Sequence, residues 1–461
     1  MFRRFRKNLD KFDFVVFILY KLLLDYIYLH IHGTLYAYYG FSLVPNDTKM
    51  AIGWVMFVIA SIFIASKDKS ITTTFTYTIF LLSVVPCIVY YEYNPEATLP
   101  MVLSQTIAIV VMEILFRITR PKEDKPITYR SPISYKNKTL RALAFVGLVG
   151  FFAVLLIQNG IPSLSSISLT NISQVRAENS QSTFMALLEN LVCKIVCPIF
   201  IFVSLKEKKW IPFIFAVLVQ VYSYSVTGFK TYLFIPVVII AVNLIRGLNL
   251  KKCIVIGLPL AVIGATLIYT TFDEIMPYAL IVERVVFLPA KIKVAYFDYF
   301  STHELLWFKE STIAHFLGFE SPYSTAVPYI IGDVYFGRPN MWTNTGFMAD
   351  AYSNAGYFGI VLMCLVVFIV LVITRKHLRN VPPSLSRGLQ AVFLLFFISL
   401  NDGGAISVIF SGGMIFMIIL IALVDFSGIN IKVVKAKKAK VQHQAPQQVE
   451  TVNERVVVDG K

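Results

Sequence analysis

The stretch "TNTGFMADAYSNAGYFG", Thr343 to Gly359, runs directly into the apolar "IVLMCLVVFIVLVIT" of Ile360 to Thr374. An uncharged run of this kind reads as a membrane helix, because lipid offers backbone N–H and C=O groups no partner but their own segment. From Ile360 to Thr374 the run covers about 22 Å at 1.5 Å per residue, short of the ~30 Å hydrocarbon core. The helix is therefore expected to begin inside the polar prelude, within a span 345–374. On that helix Asp350, Asn354 and Tyr357 share one face, and Tyr352, Gly356 and Gly359 lie on another. A carboxylate and an amide at such depth are costly unless they face a cavity. Glycines there let a neighbouring helix approach closely.

The rest of the chain repeats this character. It is 57% hydrophobic and 14% aromatic, with a mean hydropathy of +0.69. Only 15% is charged, against about 25% in soluble domains. The apolar runs are continuous rather than alternating, so the expected fold is an all-α polytopic membrane protein. Twelve transmembrane helices are expected: 12–31, 50–66, 72–91, 98–118, 141–158, 184–205, 211–227, 231–247, 253–272, 345–374, 387–403 and 405–425. The basic "MFRRFRKNLDK" before the first span lacks a following A-x-A-like cleavage site. The span itself carries Lys21 and Asp25, so it reads as a retained helix.

With both termini in the cytoplasm, 32 of the 42 Lys and Arg fall on the inner side, two (Lys21 and Lys194) lie inside spans, and eight lie outside. An odd number of spans would break that sorting. The net charge of +15 is thus accounted for by topology and anionic headgroups, and nucleic acid is not an expected partner. Cys87, Cys193, Cys197, Cys253 and Cys364 all fall inside spans and read as small apolar fillers.

Four regions follow: 1–272, holding nine spans and an external loop 158–183; a large external loop 273–344; 345–425, holding the last three spans; and a basic tail 426–461, expected to be disordered. A connection as long as 273–344 is uncommon without function. Its aromatics recur at helical spacing, so it is expected to form amphipathic helices lying on the outer surface. The eight outward cations are Lys49, Arg176, Lys230, Arg284, Lys291, Lys293, Lys309 and Arg338. The positive-inside bias opposes each of them, and several converging on a membrane surface suit an anionic headgroup. Outward groups suited to acid–base work are Glu283, Asp298, His303, Glu304, Glu310, His315, Glu320, Asp333 and Asp350. No metal-ligand spacing, P-loop, G-x-S-x-G or G-x-G-x-x-G is present, so neither metal nor cofactor is expected.

"ERVVFLPAKIKVAYFDYFS" from Glu283, followed by "ESPYSTAVPYIIGDVYFGRPNMWTNTGFMADAYSNAGYFGIV" from Glu320, resembles the Wzy-type polymerases of bacterial O-antigen and capsular repeat units. "GIPSLSS" through Arg176 and "TGFKTYL" (Thr227 to Leu233) are similar to that family's external Arg loop and Lys/Arg turn. An Arg-x10-Gly signature of some members is not met, since Leu187 stands at the Gly position. The detailed resemblance covers about 120 residues.

The resemblance implies a GT-C-like, metal-independent membrane glycosyltransferase of the bacterial cytoplasmic membrane. It would move a growing glycan from undecaprenyl diphosphate onto an undecaprenyl diphosphate-linked repeat unit at the outer face. Implied partners are those lipid-linked oligosaccharides, membrane lipids, a Wzx-type flippase and a Wzz-type chain-length regulator. Arg176, Lys230, Arg284 and Arg338 would contact the diphosphate. Asp333, Asp350 and His303 are the acid–base candidates, and Tyr335, Asn344 and Asn354 the glycan contacts. Competing readings are an O-antigen ligase-type transferase and a flippase or exporter of lipid-linked oligosaccharide. The block from Asp333 to Gly359 favours the polymerase, and the absence of two repeated halves speaks against the exporter.

Overall fold

Helices begin where the sequence supplies an oxygen for their orphan N–H groups. Asp10, Asn46, Ser70 and Asn249 each accept a hydrogen bond from the backbone N–H three residues on. In this computed structural model the described residues are 9–120, 133–134, 138–162, 182–245, 249–311, 314, 317–379, 381 and 383–425. The chain divides into two units, and every described element belongs to Met1–Ile429. The tail from 426 onward, including the second unit Asn430–Lys461, lies outside the described residues.

The first half comprises α1 (Lys11–Leu35), α2 (Asp47–Ile64), α3 (Ile71–Tyr93), α4 (Leu99–Ile118), α5 (Lys138–Asn159), α6 (Phe184–Glu207) and α7 (Trp210–Thr227). There follow α8 (Lys230–Leu244), α9 (Leu250–Phe272), α10 (275–302), α11 (Val327–Phe336), α12 (Phe347–Leu378), α13 (Pro383–Asp402) and α14 (Ala405–Leu423). Among the described residues the strand structure is confined to a two-residue parallel pairing of Ile133–Ser134 with Val424–Asp425. Among the described residues ten helices are long and apolar enough to cross a membrane, which makes this a multi-pass, all-α membrane protein. Ten of the twelve expected spans are among them. The other two form helices of a different kind. At 15 residues α8 reaches only about 22 Å, and α13 opens on the polar "SLSRGLQ".

The core is built around α3, buried along its whole length. It is ringed by α1, α2, α4, α9, α12 and α13. Its threonines are accommodated because Thr76 and Thr78 donate to carbonyls one turn back. Buried charges lock the ring by pairing. Lys21 of α1 bridges Asp25 and Glu92 at 2.6 Å each. At the Lys/Arg-rich end, Asp13 meets Lys251 and Lys252 at 2.7 and 2.5 Å, and Arg117 meets Glu113 at 2.8 Å. Arg375 of α12 donates to the Phe116 carbonyl at 3.0 Å.

The opposite end carries the candidate site. There α10 does not cross the bundle. Tyr278 packs on Tyr269 at the end of α9 and on Tyr36 after α1, and Phe297 packs on Tyr352 of α12. The helix therefore runs along that end of the bundle. The helices expected to lie exposed on the outer surface are not exposed: residues 288–300 are nearly all buried, packed against α3, α11 and α12.

The opening stretch also resolves. The helix α12 does begin inside the polar prelude, at Phe347. It is broken at Ala355 (φ −150°, ψ 31°) and Gly356 (φ 59°, ψ −147°), a combination that glycine alone adopts without strain. Asp350 and Asn354 therefore lie on one helical segment and Tyr357 on the next, and the single face expected for the three is interrupted.

Candidate functional site

Three groups of side chains meet along α10. The first is a platform of cations and aromatics. Lys291 is buried, donates to the Tyr39 carbonyl, and places its ammonium 4.9 to 5.6 Å from the ring centres of Phe336, Phe41 and Tyr39. Burial draws its pKa down. The turn it holds requires Gly40, which has φ +81° and whose place a Cβ could not take without meeting the Lys291 ammonium. The exposed Arg338 guanidinium sits 5.2 Å over the Tyr39 ring, and the exposed Arg284 also bears electrostatically on Tyr39. Beside Arg284, burial pushes the Glu283 carboxyl up to about 7.

The second is a cavity of about 310 Å³ between the start of α4, α10 and the break in α12. Its wall includes Glu96, Thr98, Phe297, Asp298, Ser301, Tyr352 and Tyr357. Phe297 and Tyr352 stack at 4.1 Å, and Tyr357 meets Tyr352 edge-on at 5.1 Å. The Tyr335 hydroxyl donates to Asp298 Oδ2 at 2.6 Å, and Asp298 lines the cavity. Lys291 and Asp298 are seven residues apart on α10, about 10 Å along its axis. The neighbouring Phe336 and Tyr335 of α11 touch one each. Platform and cavity are thus contiguous.

The third is a polar floor. Lys293, 1% exposed, donates to Asn401 Oδ1 at 2.9 Å, and Asn401 Nδ2 donates to Asp402 Oδ1 at 2.9 Å. Asp350 packs its carboxylate against Gly404, where a Cβ would lie 2.5 Å from Oδ2.

The residues named from the sequence distribute unevenly over this site. Arg284, Arg338 and Tyr335 belong to the platform and cavity, and Asp350 to the floor. Arg176 and His315 lie outside the described residues. Lys230 opens α8, which packs on α6, α7 and α13 rather than on α10. Asp333 is exposed on α11. His303 stacks on Tyr299 at 3.9 Å and engages the Tyr299 carbonyl through Nδ1 at 2.8 Å. Asn344 accepts from the Trp342 indole. Asn354 is buried and latches the break: its Oδ1 accepts from the Phe308 N–H at 2.9 Å and its Nδ2 donates to the Asp350 carbonyl at 2.7 Å. Leu306 and Trp307 donate to the carbonyls of Ser353 and Asn354 at the same break.

Sequence reasoning passed over Glu96 and Asp402, and it gave no special weight to Lys291 or Asp298. Glu96 sits in the short "NPEAT" connection, where a charge reads as an ordinary loop residue. Asp402 carried a faint signal, an Asn-Asp-Gly-Gly ending an apolar run. Among the described residues no group of three or more His, Cys, Asp or Glu side chains is placed to hold a metal ion. No family model, no curated protein and no solved structure matches this chain.

Proposed function

We propose that this protein is a membrane-embedded glycosyltransferase that polymerises undecaprenyl diphosphate-linked repeat units, acting at the end of the bundle opposite its Lys/Arg-rich side. One observation carries the reading: α10 joins a cation–aromatic platform to a carboxylate–aromatic cavity about 10 Å away. A diphosphate bonded to a sugar has that form, an anion next to a hydroxyl-rich, partly apolar ring. Arg284 and Arg338 engage the diphosphate, with Lys291 beneath them fixing the Tyr36–Phe41 turn. Donors held where charge develops on the leaving group lower the barrier most.

In the transfer, the acceptor sugar's hydroxyl oxygen bonds to the donor's anomeric carbon. The bond from that carbon to the diphosphate oxygen breaks, and undecaprenyl diphosphate leaves with the electron pair. The hydroxyl proton passes to a carboxylate. Asp298 fits that role better than the other candidates, because it lines the cavity, is exposed there, and has one oxygen fixed by Tyr335. Asp350 is pressed against Gly404, and His303 is turned to its own helix.

The test is the purified full chain with lipid-linked repeat units alone, with products separated by length. A ladder of multiples is expected. Units recovered unchanged from folded protein refute the polymerase. Cells lacking the protein should display single repeat units at the surface, whereas loss of all surface glycan would indicate an exporter.

A further inference from the structure

We infer that the cavity beside α10 selects against acidic sugars, so that the repeat-unit residue seated there is neutral or amine-bearing. The inference rests on the glycan-transfer reading and names the substrate class of that site. The wall presents two exposed carboxylates, Glu96 and Asp298, and no Lys, Arg or His. The two nearest cations along α10 are engaged elsewhere, Lys293 with Asn401 Oδ1 and Lys291 with the Tyr39 carbonyl and three aromatic rings, although Lys291 also bears electrostatically on Glu96. Among the described residues the Asp298 carboxylate accepts from a neutral phenol, Tyr335, and from no cation. A uronate or other acidic substituent placed here meets like charge in a partly enclosed volume, which weakens its binding steeply. A neutral or aminated ring instead finds carboxylate acceptors for its O–H and N–H groups, hydroxyls from Thr98 and Ser301, and the edges of Phe297 and Tyr352 for its C–H face. At about 310 Å³ the volume is at the small end of ligand pockets, so it reads a single residue of the glycan rather than a chain.

The experiment uses the full chain purified in detergent and saturation-transfer NMR with the methyl glycosides of glucose, glucosamine and glucuronic acid. The first two should bind, with the glucuronide at least about tenfold weaker. In the Glu96→Gln/Asp298→Asn double variant the glucuronide should approach the glucoside, to within about threefold. Ser301→Phe, which fills the cavity from an exposed position, should abolish binding of all three. Equal binding of glucoside and glucuronide to the native chain overturns the inference. So does binding that survives Ser301→Phe, or a complete absence of glycoside binding. No turnover is involved, so a protein that makes no polymer yet keeps this order of binding defeats the transferase reading alone. A protein that makes polymer yet binds the glucuronide as well as the glucoside defeats only the selectivity.

Discussion

Replacing Asn354 by Ala separates a latch from a ligand. The buried side chain accepts from the Phe308 N–H at 2.9 Å and donates to the Asp350 carbonyl at 2.7 Å. Among the described residues the Phe308 amide has no other acceptor, and leaving such a donor unmade costs about 1–2 kcal/mol at a half-buried position. The Asp350 carbonyl retains the Ser353 hydroxyl at 2.7 Å, so that loss is smaller, about 1 kcal/mol. The segment 305–308 should therefore lose roughly 1–2 kcal/mol of protection, which speeds amide exchange there about 5- to 30-fold, while the smaller loss falls on α12 itself. It should not detach, because Leu306 and Trp307 still donate to the carbonyls at the break. Hydrogen-exchange mass spectrometry of the purified protein measures this directly. Unchanged exchange at 306–308 together with lost glycan binding would refute the latch and return Asn354 to direct contact with substrate.

Other perturbations probe the platform and the core. Arg338→Ala removes a charge-assisted contact worth about 1.5–3 kcal/mol, so undecaprenyl diphosphate should bind about 10- to 150-fold more weakly with little change in melting temperature; unaltered affinity counts against the platform. Glu283 keeps its proton below about 7, where Arg284 stands unopposed, and ionises above it; Tyr36, Tyr39 and Tyr278 also sense the new charge. Diphosphate binding should therefore weaken as pH rises through 7, and Glu283→Gln should flatten that dependence; an equally steep profile in the variant would point to another group. Lys21→Met strands Asp25 and Glu92 in the core, a loss of about 3–5 kcal/mol read as a fall in melting temperature and in yield of monodisperse protein, and an unchanged melting temperature would mean the triad does not hold the bundle.

Much of the fold was legible in the sequence because lipid imposes one rule on every residue of a span. Continuous apolar runs such as Ile360–Thr374 declare themselves, and the short reach of that run already required the helix to start before Ile360; it starts at Phe347. Charges inside spans, such as Lys21 and Asp25, announce that partners exist, but the third member, Glu92, lies 71 residues away and no local pattern points to it. The break at Gly356 was equally hidden. A glycine among helix-compatible neighbours signals close packing as readily as positive φ, and only the loop hydrogen bonds arriving from 306–308 decide which.

The site divides in the same way. Charge sorting by itself marked eight cations as standing against a strong bias and put weight on Arg284 and Arg338 among them, but not on Lys291. Which of these act together depended on the tertiary structure. By running α10 along the end of the bundle, the fold sets Lys291 under the Tyr36–Phe41 turn and Asp298 beside Glu96, a residue some 200 positions earlier. It also gives Asn354 to the latch rather than to open space. Local sequence fixes what a segment is, since its hydrogen bonds and apolar face are its own. Which segments meet is decided by packing free energy shared over the whole bundle, and no single stretch records it.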